Sequence, residues 1–389
     1  MRVMFTSPHY FLDTTNGAAA SMRALLVGLA RKGHSVEAIT GCHSPDTVSP
    51  SREGLSSAQE LCRGTIRAIS AMWEGIQLTV LTGGSPLEEM LVPQEILLPL
   101  WLETHILEAK PDVLLFVGRP SALARVLHLT RAAKVPVAYY LNTVRPENHP
   151  GPVAEADLVI VPSYFLAARY RECWAIEAQV LHPIIDLTLD TPNGDFVTHI
   201  NPAPEKGLAL VHALATRAES ELPEARFLIV EGRWTGAAAA ASGFPVASLS
   251  NVTVAKNTRE IRELYARTRV LLYPSFWEEA YGRVVVEAQR CGIPVLAARR
   301  GGIPEAMNGG GILLEVPERS WENYRTPLTH EEVTPWLDAL TRMLMDPAAH
   351  AEASRQARAA APLRSGVQIE EAASVLSAVA SRRAGFGAA

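Results

Sequence analysis

Two carboxylates, Glu279 and Glu287, are the residues best placed to do chemistry. They lie in the stretch Tyr273 to Glu305, YPSFWEEAYGRVVVEAQRCGIPVLAARRGGIPE, with seven residues between them. An ionised carboxylate accepts two hydroxyl donors at once, the recognition that a sugar or a ribose requires. The elements around the pair support this use. Val270-Leu271-Leu272-Tyr273 reads as a short apolar strand ended by Pro274-Ser275. A loop with Glu278 and Glu279 follows, and Gly282 opens an apolar helix from Arg283 to Arg290. Cys291-Gly292 stops that helix, and Pro294-Val295-Leu296-Ala297 resumes a strand. In strand–loop–helix–strand units of this kind, ligands bind beyond the carboxyl ends of the strands. The helix start supplies backbone N–H groups and a positive dipole end, suited to a diphosphate. One crevice can then hold a nucleotide's phosphates and its sugars.

The full string is more specific than the acid pair. It resembles the signature of retaining nucleotide-sugar glycosyltransferases of family 4, P-S followed by E-x-[FY]-G-x-x-x-x-E-A-x-x-x-G-x-P-V. Pro274, Ser275, Glu279, Tyr281, Gly282, Glu287, Ala288, Gly292, Pro294 and Val295 fill it, and Gly301-Gly302-Ile303-Pro304-Glu305 continues it. The resemblance implies an α/β chain with two Rossmann-like domains facing each other across a cleft, the GT-B fold. It places Glu279 near the donor sugar and Glu287 on the nucleotide ribose. The family's diphosphate clamp, G-R-x-x-x-x-K-G, is matched here by Lys206-Gly207, with Asn201 where the arginine usually stands. Arg233, after the strand Phe227–Val230, is the candidate replacement cation. Asn142 follows the strand Val135–Leu141 where the family usually has a histidine; it can bond a hydroxyl but cannot carry a proton. Asn16-Gly17 stands for the family's first-loop G-G pair, and Gly17 lets the backbone approach a ligand. On this basis Glu279, Lys206 and Asn142 are catalytic candidates. Gly17, Asn201, Lys206, Arg233, Gly282 and Glu287 are donor-binding candidates.

Composition bounds the alternatives. The chain has 389 residues, enough for two domains, with 48% hydrophobic and 20% charged residues. A formal net charge of −5 argues against nucleic acid. Four scattered cysteines without C-x-x-C spacing argue against a zinc site or disulfide framework and fit a cytoplasmic setting. No apolar run approaches the roughly twenty residues of a membrane span; peripheral membrane contact stays open. No D-x-D cluster is present, so the reading is metal-independent, with no cofactor beyond the nucleotide-sugar donor.

Alternating strand and helix patterns run along the whole chain and predict parallel sheets. The expected domains are 1–185, facing the acceptor, and 186–365, holding the donor; a last helix within 366–389 packs back on the first. Residues Cys42 to Ser57 read as a polar loop, Ala58–Met72 as a helix, and Glu318 to Thr329 as an irregular insertion before a helix at Thr334–Met345. The resemblance implies transfer of a sugar, with retention, to an acceptor that is a small molecule, glycan, lipid or peptide. Two alternatives remain at this stage: a nucleotide-sugar epimerase of the same architecture, and a non-catalytic nucleotide-sugar-binding partner.

Overall fold

A computed structural model describes residues 1–13, 16–43, 67–82, 91–144, 151–187, 189, 194–258, 260–361 and 365–384. The strands are β1 (Arg2–His9), β2 (Ser35–His43), β3 (Arg67–Trp73), β4 (Ile76–Thr82), β5 (Val113–Phe116), β6 (Val137–Tyr140), β7 (Leu158–Val161), β8 (Gln179–Val180), β9 (Phe196–Ile200), β10 (Arg226–Val230), β11 (Val252–Ala255), β12 (Thr268–Tyr273), β13 (Val295–Ala298) and β14 (Ile312–Leu314). The described α-helices are α1 (Gly17–Arg31), α2 (Leu91–Ala109), α3 (Pro120–Ala132), α4 (Tyr164–Trp174), α5 (Leu208–Glu221), α6 (Gly236–Ala241), α7 (Ile261–Ala266), α8 (Arg283–Arg290), α9 (Ile303–Met307), α10 (Arg319–Glu322), α11 (His330–Met345), α12 (Pro347–Ala360) and α13 (Ser365–Ala384).

The chain divides into two units, Met1–Ile184 with Leu363–Ala389, and Ile185–Pro362. The first is built on an eight-stranded sheet of order β3-β4-β2-β1-β5-β6-β7-β8, parallel except for the β3–β4 pair. Helix α13 packs on α1 in this unit: Gly28 leaves space that Ile369 fills, and Lys32 pairs with Glu370 at 2.6 Å.

The second unit holds a six-stranded parallel sheet of order β11-β10-β9-β12-β13-β14. Counted within the unit this is 3-2-1-4-5-6, the doubly wound order. Chain direction across the sheet reverses between β9 and β12, where such sheets open a crevice at the strands' carboxyl ends. The strands are buried on both faces and read as continuous apolar runs (Phe227-Leu228-Ile229-Val230, Val270-Leu271-Leu272), as parallel strands covered by helices must. Helix α5 buries Leu208, Val211, Ala215 and Ala218, a stripe at helical spacing, in the same core as Val197, Phe227 and Ile229.

Two expectations are corrected. The helix expected over Ala58–Met72 is not formed where it can be seen: residues 58–66 lie outside the described residues, and Arg67–Trp73 is a strand paired antiparallel to β4. A two-residue turn sets this pairing, with Trp73 opposite Ile76 and positive φ at both Glu74 (47°) and Gly75 (81°). That turn matches the twist of a hairpin. Ser70 and Thr79 sit opposite each other with their hydroxyls 2.9 Å apart. The helix expected from Thr334 starts at His330 instead, and the preceding insertion contains the single turn α10. Thr329 and Glu332 form a capping box: the Thr329 hydroxyl accepts from the Glu332 N–H, and the Glu332 carboxylate from the Thr329 N–H at 2.8 Å. Thr329→Ala is expected to cost about 1 kcal/mol in urea unfolding, with catalysis unaffected.

Candidate functional site

Every site candidate on the second unit lies at the carboxyl end of its sheet. The loop after β9 carries Lys206, and the loop after β12 carries Glu279; these are the two strands that flank the reversal of strand order. The loops are stitched together by backbone. The Glu205 carbonyl oxygen accepts from the N–H groups of Phe276 and Trp277, both at 3.0 Å, and from the Ser275 hydroxyl at 3.3 Å. Close approach demands glycine here. Gly207 has φ +84°, and a Cβ on it would sit 2.0 Å from the Pro274 carbonyl oxygen. Gly301 has φ +57°, and a Cβ there would sit 2.6 Å from both the backbone N and O of Glu279. The K-G and G-G motifs are therefore contact points between loops, which no other residue type fits.

This stitching brings Lys206 Nζ to 2.6 Å from Glu279 Oε1, in a pair only 24% and 12% exposed. The Ser275 hydroxyl donates to the same oxygen at 2.8 Å. Tyr273, at the end of β12, also donates to Glu279; burial and the two carboxylates Glu279 and Glu287 push its hydroxyl well above the usual tyrosine range. The phenol is bonded to Glu279 and also feels the more distant charge of Glu287. Glu287 is held at both oxygens: the Tyr265 hydroxyl donates to Oε2 at 2.8 Å, and Arg283 donates to Oε1 at 3.1 Å. Gly282 takes φ +116° as the N-cap of α8, so the helix start is formed by bare backbone. Beside it, Arg300 stacks on the Trp321 ring at 3.6 Å, pairs with Glu278 at 3.5 Å and donates to the Phe276 carbonyl oxygen. The insertion that supplies Trp321 thus braces the acidic loop.

Asn201 and Arg233 meet in a different way from the sequence expectation. Asn201 takes φ +66°, the left-handed region that asparagine tolerates, and its side-chain oxygen accepts from the Trp234 N–H at 3.1 Å. It shapes the turn Glu231–Trp234, on which Arg233 is exposed. Gly17 and Asn142 belong to the first unit. Gly17 is the first residue of α1, and Asn142 follows β6, half-buried. Asn16, which stands where the family has the first glycine of its pair, is extended (φ −104°) and caps α1 through bonds from the N–H groups of Ala18 and Ala19. Residues 145–150, including His149, lie outside the described residues.

Sequence reading missed Tyr265 and Tyr273. Their signal was present: a tyrosine in an apolar strand or helix carries a hydroxyl that burial obliges to find a partner. It also missed His199, on β9 and 1% exposed. Its Nδ1 lies 3.2 Å from the Leu272 carbonyl oxygen, and burial lowers its pKa from 6.5 to about 4. A buried base with a depressed pKa resists protonation that the unfolded chain accepts. Its contribution to stability is therefore complete above pH 6.5 and is lost as pH falls toward 4. Denaturant titrations across that range should show a loss of about 3 kcal/mol. His199→Met should flatten this slope; an unchanged slope would assign it to other groups.

Comparison with known proteins agrees with this architecture. Residues 195–325 match the family model "Glycosyl transferases group 1". A D-inositol 3-phosphate glycosyltransferase from Mycobacterium sp. (strain KMS) is 30% identical over 187 residues, 41% of this chain and 40% of that protein. One of the same description from Streptomyces bingchenggensis (strain BCW-1) is 38% identical over 93 residues, 24% of this chain and 20% of that protein. The chain thus spans two-fifths or less of the length of these curated relatives. Among solved structures, Anabaena HepE in complex with UDP-glucose superposes with TM-score 0.69 at 18% identity, covering 97% of this chain and 100% of that one. A glycosyltransferase from Rickettsia africae ESF-5 gives 0.67 at 14% identity, covering 97% and 98%. The fold is GT-B, two Rossmann-like domains. No helix among the described residues is long and apolar enough to cross a membrane.

Proposed function

We propose that this chain, whose second unit carries a group 1 glycosyltransferase domain, is a retaining glycosyltransferase that takes a sugar from a nucleotide-diphosphate sugar. The observation that carries the reading is the Lys206–Glu279 pair, drawn from two loops that meet where the strand order reverses. In this reading the donor diphosphate lies against Lys206 and the amides at the start of α8, with Arg233 as a second cation. Glu287 takes the ribose hydroxyls, and Glu279 faces the donor sugar. The bond from the anomeric carbon to the diphosphate oxygen breaks, and its electron pair leaves with the nucleoside diphosphate. Lys206 and the amides stabilise that growing charge. The acceptor hydroxyl attacks on the face the leaving group vacates, and its proton passes to a diphosphate oxygen. No protein base is needed for this step, so Asn142 serves as a hydroxyl-bonding residue. The first unit is assigned to the acceptor, and the reaction to a cytoplasmic setting without a metal.

The donor of the structural neighbour, UDP-glucose, and the inositol phosphate named for the relatives are the first substrates to try. Thermal melts against a panel of nucleotide sugars should show one donor raising Tm. Incubation of that donor with candidate acceptors should yield a product whose anomeric configuration, read by proton NMR, equals the donor's. Inversion would remove the retaining assignment, and a panel without any Tm shift would remove the donor assignment.

A further inference from the structure

We infer that Tyr265 is a positioning residue for nucleotide recognition, its hydroxyl holding the Glu287 carboxylate in the orientation that reads ribose hydroxyls. This rests on the donor-site reading above and extends it to a residue outside the signature. Tyr265 lies on α7, and its side chain is wholly buried in the core of the second unit. A phenylalanine would fill the same space with no polar obligation; the buried hydroxyl is instead spent on Glu287 Oε2, at 2.8 Å. Burial and the Glu287 charge hold the phenol well above its usual pKa, so it is a donor at every working pH.

The second partner of Glu287 is of a different kind. Arg283 reaches Oε1 from one turn earlier on the same helix, at 3.1 Å, and is 18% exposed. An arginine side chain has several rotamers to regain when released, whereas a ring packed on all sides has none. Of the two donors, Tyr265 is the fixed one and Arg283 the exchangeable one. Glu287 is thus anchored at Oε2, and Oε1 is the oxygen that a ribose hydroxyl can take over. Without the anchor, Glu287 is held through Arg283 at Oε1, the oxygen the ribose must take over, and its recognition of the hydroxyl pair weakens.

The test compares ribose with deoxyribose ligands by isothermal titration. UDP, GDP and ADP are screened first, and the diphosphate that binds is then compared with its 2′-deoxy and 3′-deoxy forms. The wild type should prefer the ribonucleotide by about tenfold or more, the scale of one hydrogen bond to a charged group. Glu287→Ala should abolish the preference. Tyr265→Phe should reduce it to about threefold or less, while Arg283→Ala keeps it. A full preference retained in Tyr265→Phe, or one lost as completely in Arg283→Ala, would overturn the inference while leaving Glu287 on the ribose. If Tyr265→Phe does not fold, the Arg283→Ala comparison decides alone. Absence of a preference in the wild type, or its survival in Glu287→Ala, would overturn the ribose role of Glu287 itself and this inference with it.

Discussion

Lys206→Ala should lower kcat by about 10²- to 10³-fold, the scale measured when one preorganised electrostatic group is removed from a site of developing charge. Lys206 Nζ is fixed 2.6 Å from Glu279 Oε1 and is three-quarters buried, so its charge is aimed before any substrate arrives. Preorganised charge costs no rearrangement at the moment of bond breaking. The substitution leaves Glu279 with two donors, Ser275 and Tyr273, and leaves the Glu205 backbone bonds that join the two loops. The loss should therefore appear in turnover, with melting behaviour close to wild type. Lys206→Arg is not a conservative replacement here, because a planar fork does not fit where a single ammonium meets one oxygen. Initial rates at saturating donor separate this outcome from simple loss of binding.

The second large effect divides the two glutamates. Glu287→Ala should weaken nucleoside diphosphate binding by about 100-fold, from two hydrogen bonds to a charged group at roughly 1.5 kcal/mol each. Its turnover at saturating donor should change far less. Glu279→Ala should do the reverse, since in the proposed pose its carboxylate faces the sugar, and it pairs with Lys206. Titration calorimetry and saturation kinetics on both variants give four numbers, and the crossed pattern is the expected one. Equal and negligible effects of both substitutions would remove the site assignment.

Much of this was legible in the sequence, for a physical reason. Parallel strands buried on two faces must be apolar throughout, so Val270–Leu272 and Phe227–Val230 announce themselves. The loops that end them carry glycines at positions where a side chain would collide with backbone, as at Gly207 and Gly301. Motif and fold were visible together because the same residues serve both.

What was not legible depends on distant partners. Glu279 and Lys206 are 73 positions apart, and only the strand order brings them within 2.6 Å. The side-chain oxygen of Asn201 is engaged by Trp234, a turn contact that no local pattern announces. Arg67–Trp73 was misread because its alternation is short and its turn, Glu74-Gly75, is a rarer variant of the Asn-Gly hairpin signal. The start of α11 was placed four residues late, although Thr329 and Glu332 spell a capping box three residues apart. Tyr265 sat in a helix too short for periodicity to say which way its hydroxyl points.

The most direct test of the central claim is a hydrogen-exchange footprint of the protein saturated with the nucleotide sugar it binds. The account predicts that amide protection rises in two segments of the second unit, residues 203–208 and 275–287, and falls away when Lys206 and Glu287 are both replaced by alanine. Protection confined to other strands' loops, or unchanged in that double variant, would contradict it.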